Sequence, residues 1–421
     1  MSPSGPTLTG MRPAAVVFVA TSLLAAACSA GSEPAPTTPP APSSTTTHPA
    51  TTLPAPPETT TTTTAPIRTV AVSAASGIPS EFAAAAAAVY ARAADDRNLD
   101  PGVPAGLIDY LAAAGIPSEI GIAALRTAVL DDGTTVGVAH TDRNDVLLTV
   151  GDGTEWSIVG ARAAGAGDVW FGDSPHMVLI LGSDARPGQD PLRFHSDSIH
   201  VITATNSGQA SILGWPRDSF VPTPHGDLKI TALMVKGGPE ATRDQFRTYW
   251  ELPVEGYIVT GFRGFERLIG VLGRLLIDIP RSLPTQEWFA GFSSGEQRLS
   301  PTRALDYART RKGLPGGDLL RSYNQGIVML AALRMVQTNS IDDVPDLIAA
   351  LTQHVTTDLT ATQLLQLGAI ALELDADAIE NQVLPGTLGR AANNASVIFL
   401  DPEADDLVTD LREDGLLEPQ P

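Results

Sequence analysis

The sequence predicts an α/β domain, a layered sheet with helices on its faces, preceded by a small α+β module and a long polar spacer. Three observations carry this. From His176 onward, short apolar runs of strand length alternate with segments of helical period. Between Ser29 and Pro66 the chain is mostly Pro, Thr, Ser and Ala. The basic side chains, 27 against 47 acidic ones in a chain of 421 residues and net charge −20, gather in one part of it.

The N-terminus reads first. Arg12 precedes an apolar run from Ala14 to Ala27, fourteen residues. A membrane-spanning helix needs roughly 20, so the run fits the apolar region of an export signal. It ends "LLAAAC", which resembles a bacterial lipobox, with Ala25 where Leu is usual. Residues 1–27 are then a lipoprotein-type signal peptide. Cys28, the single cysteine of the chain, is the site of lipidation, anchoring an extracytoplasmic protein to the membrane. An ordinary secretory signal with an incidental cysteine is the other reading. Both imply export, and one cysteine excludes an internal disulfide. Residues 28–76, with "TTTTTTAP", have little to bury and are expected to form a disordered linker.

Residues 77–170 read as a small accessory module. "SEFAAAAAAVYARAADDR" is helical, with Ser80 as N-cap, and "GLIDYLAAAG" is a second helix. "DDGTTVGVAH", "DVLLTVGDG" and "EWSIVGARA" are strands separated by turn residues. No catalytic constellation is visible there. From 175 to 412 the main domain follows. "HMVLILG", "DSIHVITA", "QASILGW", "GYIVT" and "LLIDI" are strands, and "PEATRDQFRTYW", "FRGFERLIGVLG", "PTRALDYART" and "RSYNQGIVMLAALRMVQ" are helices. Two more helices, "VPDLIAALTQHV" and "TATQLLQLGAIALEL", precede short strands near Val383 and at "SVIFLD".

Charge partitions sharply along this order. From His176 to Leu330 there are 14 arginines, all three lysines and 15 acids, a net of +2, so the rest of the chain carries −22. Codon usage that favours arginine accounts for Arg over Lys but not for the clustering. Guanidinium meets phosphate oxygens in a planar two-point geometry that ammonium cannot copy. In "YARTRKGLPGGDLLRSYNQG", Arg309 and Arg311 stand two apart at a helix end. Arg321 and Gln325 share a helix face at i, i+4, and Asp318 stands as N-cap after a glycine loop. Helix N-terminus plus arginines suits a phosphate. "LGSDARPG", "HSDS" and "GWPRD" lie at strand ends, where α/β sheets bind ligands.

In their order and spacing, these motifs resemble the LytR-CpsA-Psr family of bacterial cell-envelope proteins, over roughly Pro175 to Asp410. The resemblance implies an α/β/α sandwich with a central mixed sheet and a hydrophobic tunnel. It also implies a magnesium-dependent phosphotransferase that moves a glycopolymer from a polyprenyl-pyrophosphate carrier to peptidoglycan. Asp184 and Arg186 fall on the family's Ser-Asp-x-Arg motif, Asp197 on Arg-Ser-Asp, and Arg217 and Asp218 on Pro-Arg-Asp. Arg309 and Arg311 fall on Arg-x-Arg, and Asp318, Arg321 and Gln325 on the segment that follows. By the same resemblance Asp184 and Asp197 hold Mg²⁺, and the arginines with Gln325 hold the pyrophosphate. Neutralising phosphoryl oxygens with a cation and arginines is what cleaving a pyrophosphate requires. Asp318 or Asp218 serves as base for the acceptor hydroxyl.

The chain departs from the pattern at several places. His195 stands where the family has Arg, and is either a weaker phosphate ligand or a surface histidine. Thr231 replaces a usual Asn, Asn324 a common second Arg, and Arg274 interrupts a usual Gly-Gly. The alternative function is a catalytically weak polyprenyl-phosphate binder or an envelope scaffold. Net charge and export argue against nucleic acid as a partner. No Walker loop, hydrolase elbow or zinc spacing occurs, and the seven histidines are scattered.

Overall fold

The computed structural model describes residues 70–95, 103–311 and 317–419. The signal segment, Cys28 and the spacer lie outside the described residues, as does the glycine loop at 312–316.

The N-terminal unit consists of β1 (Ala71–Ala74), α1 (Ser80–Ala94), α2 (Ala105–Ala114), β2 (Glu119–Val129), β3 (Thr135–Thr141), β4 (Val146–Gly151) and β5 (Trp156–Arg162). β1 pairs parallel with β2, and β2 to β5 form an antiparallel meander. Two expectations are corrected here. Ala71–Ala74 is a strand of this sheet, although it falls within the stretch read as linker, because Val70 and Val72 have a core to join. Ser80 is the first helical residue rather than the cap. Pro79 holds the cap position, and the Ser80 hydroxyl donates to Glu81 Oε2 at 3.1 Å.

One face of this sheet buries Ile120, Ile122, Leu147 and Ile158 under Phe82, Tyr90, Leu107 and Leu111 of α1 and α2. Its other face carries Val136, Val138, Val146 and Leu148 into a core shared with the main domain. The unit read as separate is therefore built into the larger fold. The reason lies in its strands: β3 and β4 are buried on both faces, and two helices cover only one.

The main domain follows. Its elements are β6 (His176–Ser183), β7 (Ser196–Ala204), β8 (Ala210–Gly214), β9 (Phe220–Val221), β10 (Leu228–Lys229), α3 (Leu233–Tyr249), β11 (Gly256–Thr260), α4 (Phe262–Leu272), β12 (Leu275–Ile279), β13 (Gly295–Leu299), α5 (Pro301–Arg309) and α6 (Asp318–Val336). Then come α7 (Val344–Thr352), β14 (Thr356–Thr357), α8 (Ala361–Ile370), β15 (Glu380–Val383), β16 (Gly386–Arg390), β17 (Ser396–Leu400) and α9 (Glu403–Glu413). The central sheet has the order β14-β11-β6-β7-β8-β15 and is mixed. β11–β6 and β8–β15 are parallel pairs, and the other pairs are antiparallel. β12 and β13 form a hairpin outside this sheet.

Strand alternation divides the core in two. Met177, Leu179, Leu181, Ile199, Val201, Leu213, Tyr257 and Val259 pack on one side with Trp215, Phe246 and Trp250 of the α3 layer and Leu407 and Leu411 of α9. Their sequence neighbours, Val178, Ile180, Ile202, Ile212 and Ile258, face the opposite way, toward α4, α5, α6 and α8. The result is the expected α/β/α sandwich. On that second side the layers do not close completely.

Candidate active site

Between the sheet and the second helix layer runs a cavity of about 610 Å³. Its chemistry changes along its length, and single elements show why. α6 presents Arg321 and Gln325 from its first turns, then Val328, Met329, Ala332, Leu333 and Val336 from later ones. β7 presents Asp197 and Ser198 at its start and Ile202 and Ala204 at its end. β6 carries Val178 and Ile180 before Ser183, with Asp184 and Arg186 just beyond it. The polar ends coincide, so an apolar tunnel opens on a charged mouth.

The mouth is a network. Arg217 Nη1 donates to Asp197 Oδ1. Arg321 Nη2 lies 2.6 Å from Asp318 Oδ1, and its Nη1 lies 3.8 Å from Asp197 Oδ2. Arg311 Nη2 reaches the same two acids at 3.5 and 3.8 Å. Three arginines thus share two aspartates. Their pKa values respond differently. Burial lowers that of Arg217, but the hydrogen bond and charge of Asp197, with Asp218 and Asp318, outweigh it and the net direction is upward. Arg321 is the more deeply buried and has Arg311 and Arg217 beside it. Burial pushes it down to about 10 despite Asp318, so it remains charged at neutral pH.

Asp318 was expected to cap α6. Instead it is the first helical residue, Gly317 (φ +52°) holds the cap position, and the carboxylate is turned to the arginines. The guanidinium of Arg321 offers this carboxylate a charged partner, where a cap would offer only a neutral amide. Arg309 ends α5, with its guanidinium carbon 4.3 Å above the Phe262 ring centroid. Arg186 is exposed and lines the mouth. Neither Arg186 nor Arg309 is within ion-pair distance of a carboxylate among the described residues.

The remaining expected residues divide. Gln325 lines the cavity, but its Nε2 donates to Ala308 O at 3.2 Å. Asp218 is held by Lys229 Nζ at 2.8 Å and does not line the cavity. The His195 side chain is exposed and off the cavity wall, while its backbone carbonyl accepts from Asp184 N at 2.9 Å. The motifs did not point to Ser198, Phe262 or His200. Ser198 and Phe262 line the cavity, and His200 lies fully buried behind Ser198. The signal for His200 was present in "DSIHVITA", a histidine within an otherwise apolar strand.

Several buried polar atoms at the mouth have no hydrogen-bond partner: Arg217 Nε, Arg321 Nε, Asp184 Oδ1, Asp318 Oδ2 and Gln325 Oε1. Arg217 Nε nevertheless lies 3.8 Å from Asp318 Oδ1, and Arg217, expected to hold the pyrophosphate, does not line the cavity. A buried unsatisfied group costs about 1–3 kcal/mol. Bare donors suit an anion, and the bare Asp184 oxygen suits a hard cation, since Mg²⁺ takes one or two carboxylates with substrate phosphates. No group of three acidic, histidine or cysteine ligands occurs among the described residues. Asp197, the other expected ligand, is engaged by arginines on both oxygens.

Fold and site together define an α/β sandwich protein with a cavity that is apolar within and lined by arginines at its opening. The chain belongs to the LytR_cpsA_psr family, whose model matches residues 166–413. Among curated relatives, a Bacillus subtilis polyisoprenyl-teichoic acid–peptidoglycan teichoic acid transferase, TagV, is 27% identical over 247 residues, covering 55% of this chain and 62% of TagV. The Corynebacterium glutamicum cell wall biosynthesis protein LcpA is 24% identical over 246 residues, 48% of each chain. The match therefore spans about six-tenths or less of these relatives' length. The crystal structure of B. subtilis TagV superposes with a TM-score of 0.51 at 26% identity, covering 58% of this chain and 98% of that one.

Proposed function

We propose that this protein is an exported phosphotransferase of the cell envelope that moves a glycopolymer from a polyprenyl-pyrophosphate carrier to peptidoglycan. The observation that carries the reading is the joining of the apolar cavity to the arginine mouth, a shape and charge suited to a polyprenyl tail and its pyrophosphate. The similarity to proteins named as teichoic acid transferases supports the same class. In this reading Cys28 bears a lipid, and the Ser29–Pro66 spacer holds the domain off the membrane.

The reaction joins the acceptor hydroxyl oxygen to the phosphorus that carries the glycopolymer. The bond from that phosphorus to the bridging oxygen breaks, polyprenyl phosphate leaves with the electron pair, and the hydroxyl proton passes to a carboxylate. Arg186, Arg309, Arg311 and Arg321 hold the phosphoryl oxygens, and Arg217 supports Asp197 from behind. Of the two aspartates considered for the proton, Asp318 has a bare oxygen within the cluster, whereas Asp218 is engaged by Lys229. Asp184, with a share from Asp197, would hold Mg²⁺, which when bound neutralises charge on the phosphoryl oxygens.

The test is to supply a polyprenyl-pyrophosphate-linked glycopolymer and peptidoglycan fragments with Mg²⁺. The expected result is a covalent glycopolymer–peptidoglycan product, lost in Asp184→Asn and Arg321→Ala. The second reading is retention without turnover; the departure at His195 does not bear on it, because that side chain lies off the cavity wall. Tight binding of the lipid with no product under any condition would establish that reading instead.

A further inference from the structure

Arg309 is held differently from the three arginines of the mouth that pair with acids. Arg217, Arg311 and Arg321 are fixed by Asp197 and Asp318, whereas Arg309 has no carboxylate within ion-pair distance among the described residues. Burial and the nearby charge of Arg186 lower its pKa by more than the charges of Asp306, Asp197 and Glu266 raise it, so the net direction is downward. What it does have is the face of Phe262, with the guanidinium carbon 4.3 Å from the ring centroid. Phe262 is the first residue of α4, directly after β11, and it lines the cavity. Its position is therefore set by the central sheet, and so is the platform under Arg309.

We propose that Phe262 is the positioning residue for Arg309, holding its guanidinium by the face so that the edge remains free for a phosphate. A carboxylate would fix the arginine equally well, but it would occupy the N–H edge and cancel the charge that the ligand must meet. An aromatic ring does neither. It attracts the cation through its quadrupole and touches only the flat face. The five N–H groups all lie in the guanidinium plane, so stacking leaves them available for two-point contact with phosphoryl oxygens. The mouth then combines two ways of holding arginine: Asp197 and Asp318 hold Arg217, Arg311 and Arg321 at a cost in charge, and a ring holds Arg309 with no acid in ion-pair contact among the described residues.

This inference rests on the pyrophosphate reading above and makes a narrower claim. The test is a double-mutant cycle read by calorimetric binding of farnesyl pyrophosphate, a soluble polyprenyl pyrophosphate, to the parent, Phe262→Leu, Arg309→Ala and the double variant. A stacked cation is worth about 0.5–1 kcal/mol at an exposed site, roughly two- to fivefold in affinity. Phe262→Leu should weaken binding by that factor in the parent and not at all in the Arg309→Ala background. Phe262→Tyr, which keeps the ring face, should restore parental affinity. Equal weakening in both backgrounds would mean that Phe262 acts only as cavity wall, and the inference would fail while the pyrophosphate reading stood. If Arg309→Ala itself binds as tightly as the parent, Arg309 is not a phosphate ligand, and both assignments fall at that residue.

Discussion

Among single residues, His200 couples the stability of the fold to pH. It is fully buried, with Nδ1 3.2 Å from Ser198 Oγ and Nε2 3.0 Å from Ser322 O. Burial drives its pKa down to about 4, opposed by the bond to Ser322 and reinforced by the charge of Arg321. The unfolded chain, near 6.5, binds a proton that the folded chain refuses. Stability from this group is therefore complete above pH 6.5 and falls as pH drops toward 4, by on the order of 3 kcal/mol. Urea unfolding of the parent and His200→Gln at pH 7, 5.5 and 4.5 should show the parent losing more. Parallel losses would mean that His200 does not remain neutral in the fold. Residues of the site were legible where the signal is local. The Arg309/Arg311 pair at a helix end and the Arg321/Gln325 face follow from helical period alone. That Asp197 and Asp318 would share three arginines was not legible, because it depends on β7, α5 and α6 meeting in space. The same network drew Asp318 away from the capping role that its sequence position suggested.

At the scale of elements, α6 carries the mouth and the tunnel wall, and its seat is set by a glycine. A Cβ on Gly326 would collide with the Asn381 amide of β15, whose Nδ2 donates to Tyr323 O at 3.0 Å. Gly326→Ala gains about 1 kcal/mol of helix propensity but overpacks this contact, which costs about 1–3 kcal/mol. The expected net is a loss of about 1 kcal/mol, reversed to a gain in an Asn381→Ala background. Thermal unfolding of the four proteins decides it, and a loss that persists without the Asn381 amide would refute the contact as its cause. Strands and helices of this domain were legible because period 2 and period 3.6 separate cleanly. Partners were less so. "LLIDI" reads as a strand like the others, yet β12 buries only Leu275, Ile277 and Ile279 and leaves Leu276 and Asp278 exposed. That one-sided pattern fits a peripheral hairpin, in contrast to β8, buried at every position.

For the molecule as a whole, the N-terminal unit is the main consequence of the fold. α7 packs against β2 and β3, and α8 against β3, β4 and β5. The contact is pinned by Gln366 Nε2 donating to Val159 O at 2.6 Å and by Arg162–Glu373 and His140–Asp342 pairs at 2.7 and 2.6 Å. A chain beginning at Pro175 would uncover the faces of α7 and α8 that pack on β2 to β5, in a core where Leu347, Ile348, Leu364 and Leu365 are each 0% exposed. It should unfold at a markedly lower temperature than a chain from Val70 and bind an apolar dye in its native state. An unchanged midpoint would make the unit a passenger. The strands "TVGVAH" and "VLLTV" are buried on both faces in the structure, but the sequence read them as part of a separate module, because which helices supply the second layer is a property of the assembled chain.

The sharing of two aspartates by three arginines also bears on conformational freedom. A free arginine side chain carries about 2 kcal/mol of rotamer entropy, and under the proposed function Arg311 and Arg321 closing on a phosphate would each surrender part of it at the moment of binding. Here Asp197 and Asp318 remove that freedom when the chain folds. The incoming group meets donors whose directions are already set, and the acids trade two units of attraction for stiffness. Under the proposed function, a mouth built this way would select by the spacing of oxygens more than by total charge, and an anion of equal charge and different shape would fit it poorly.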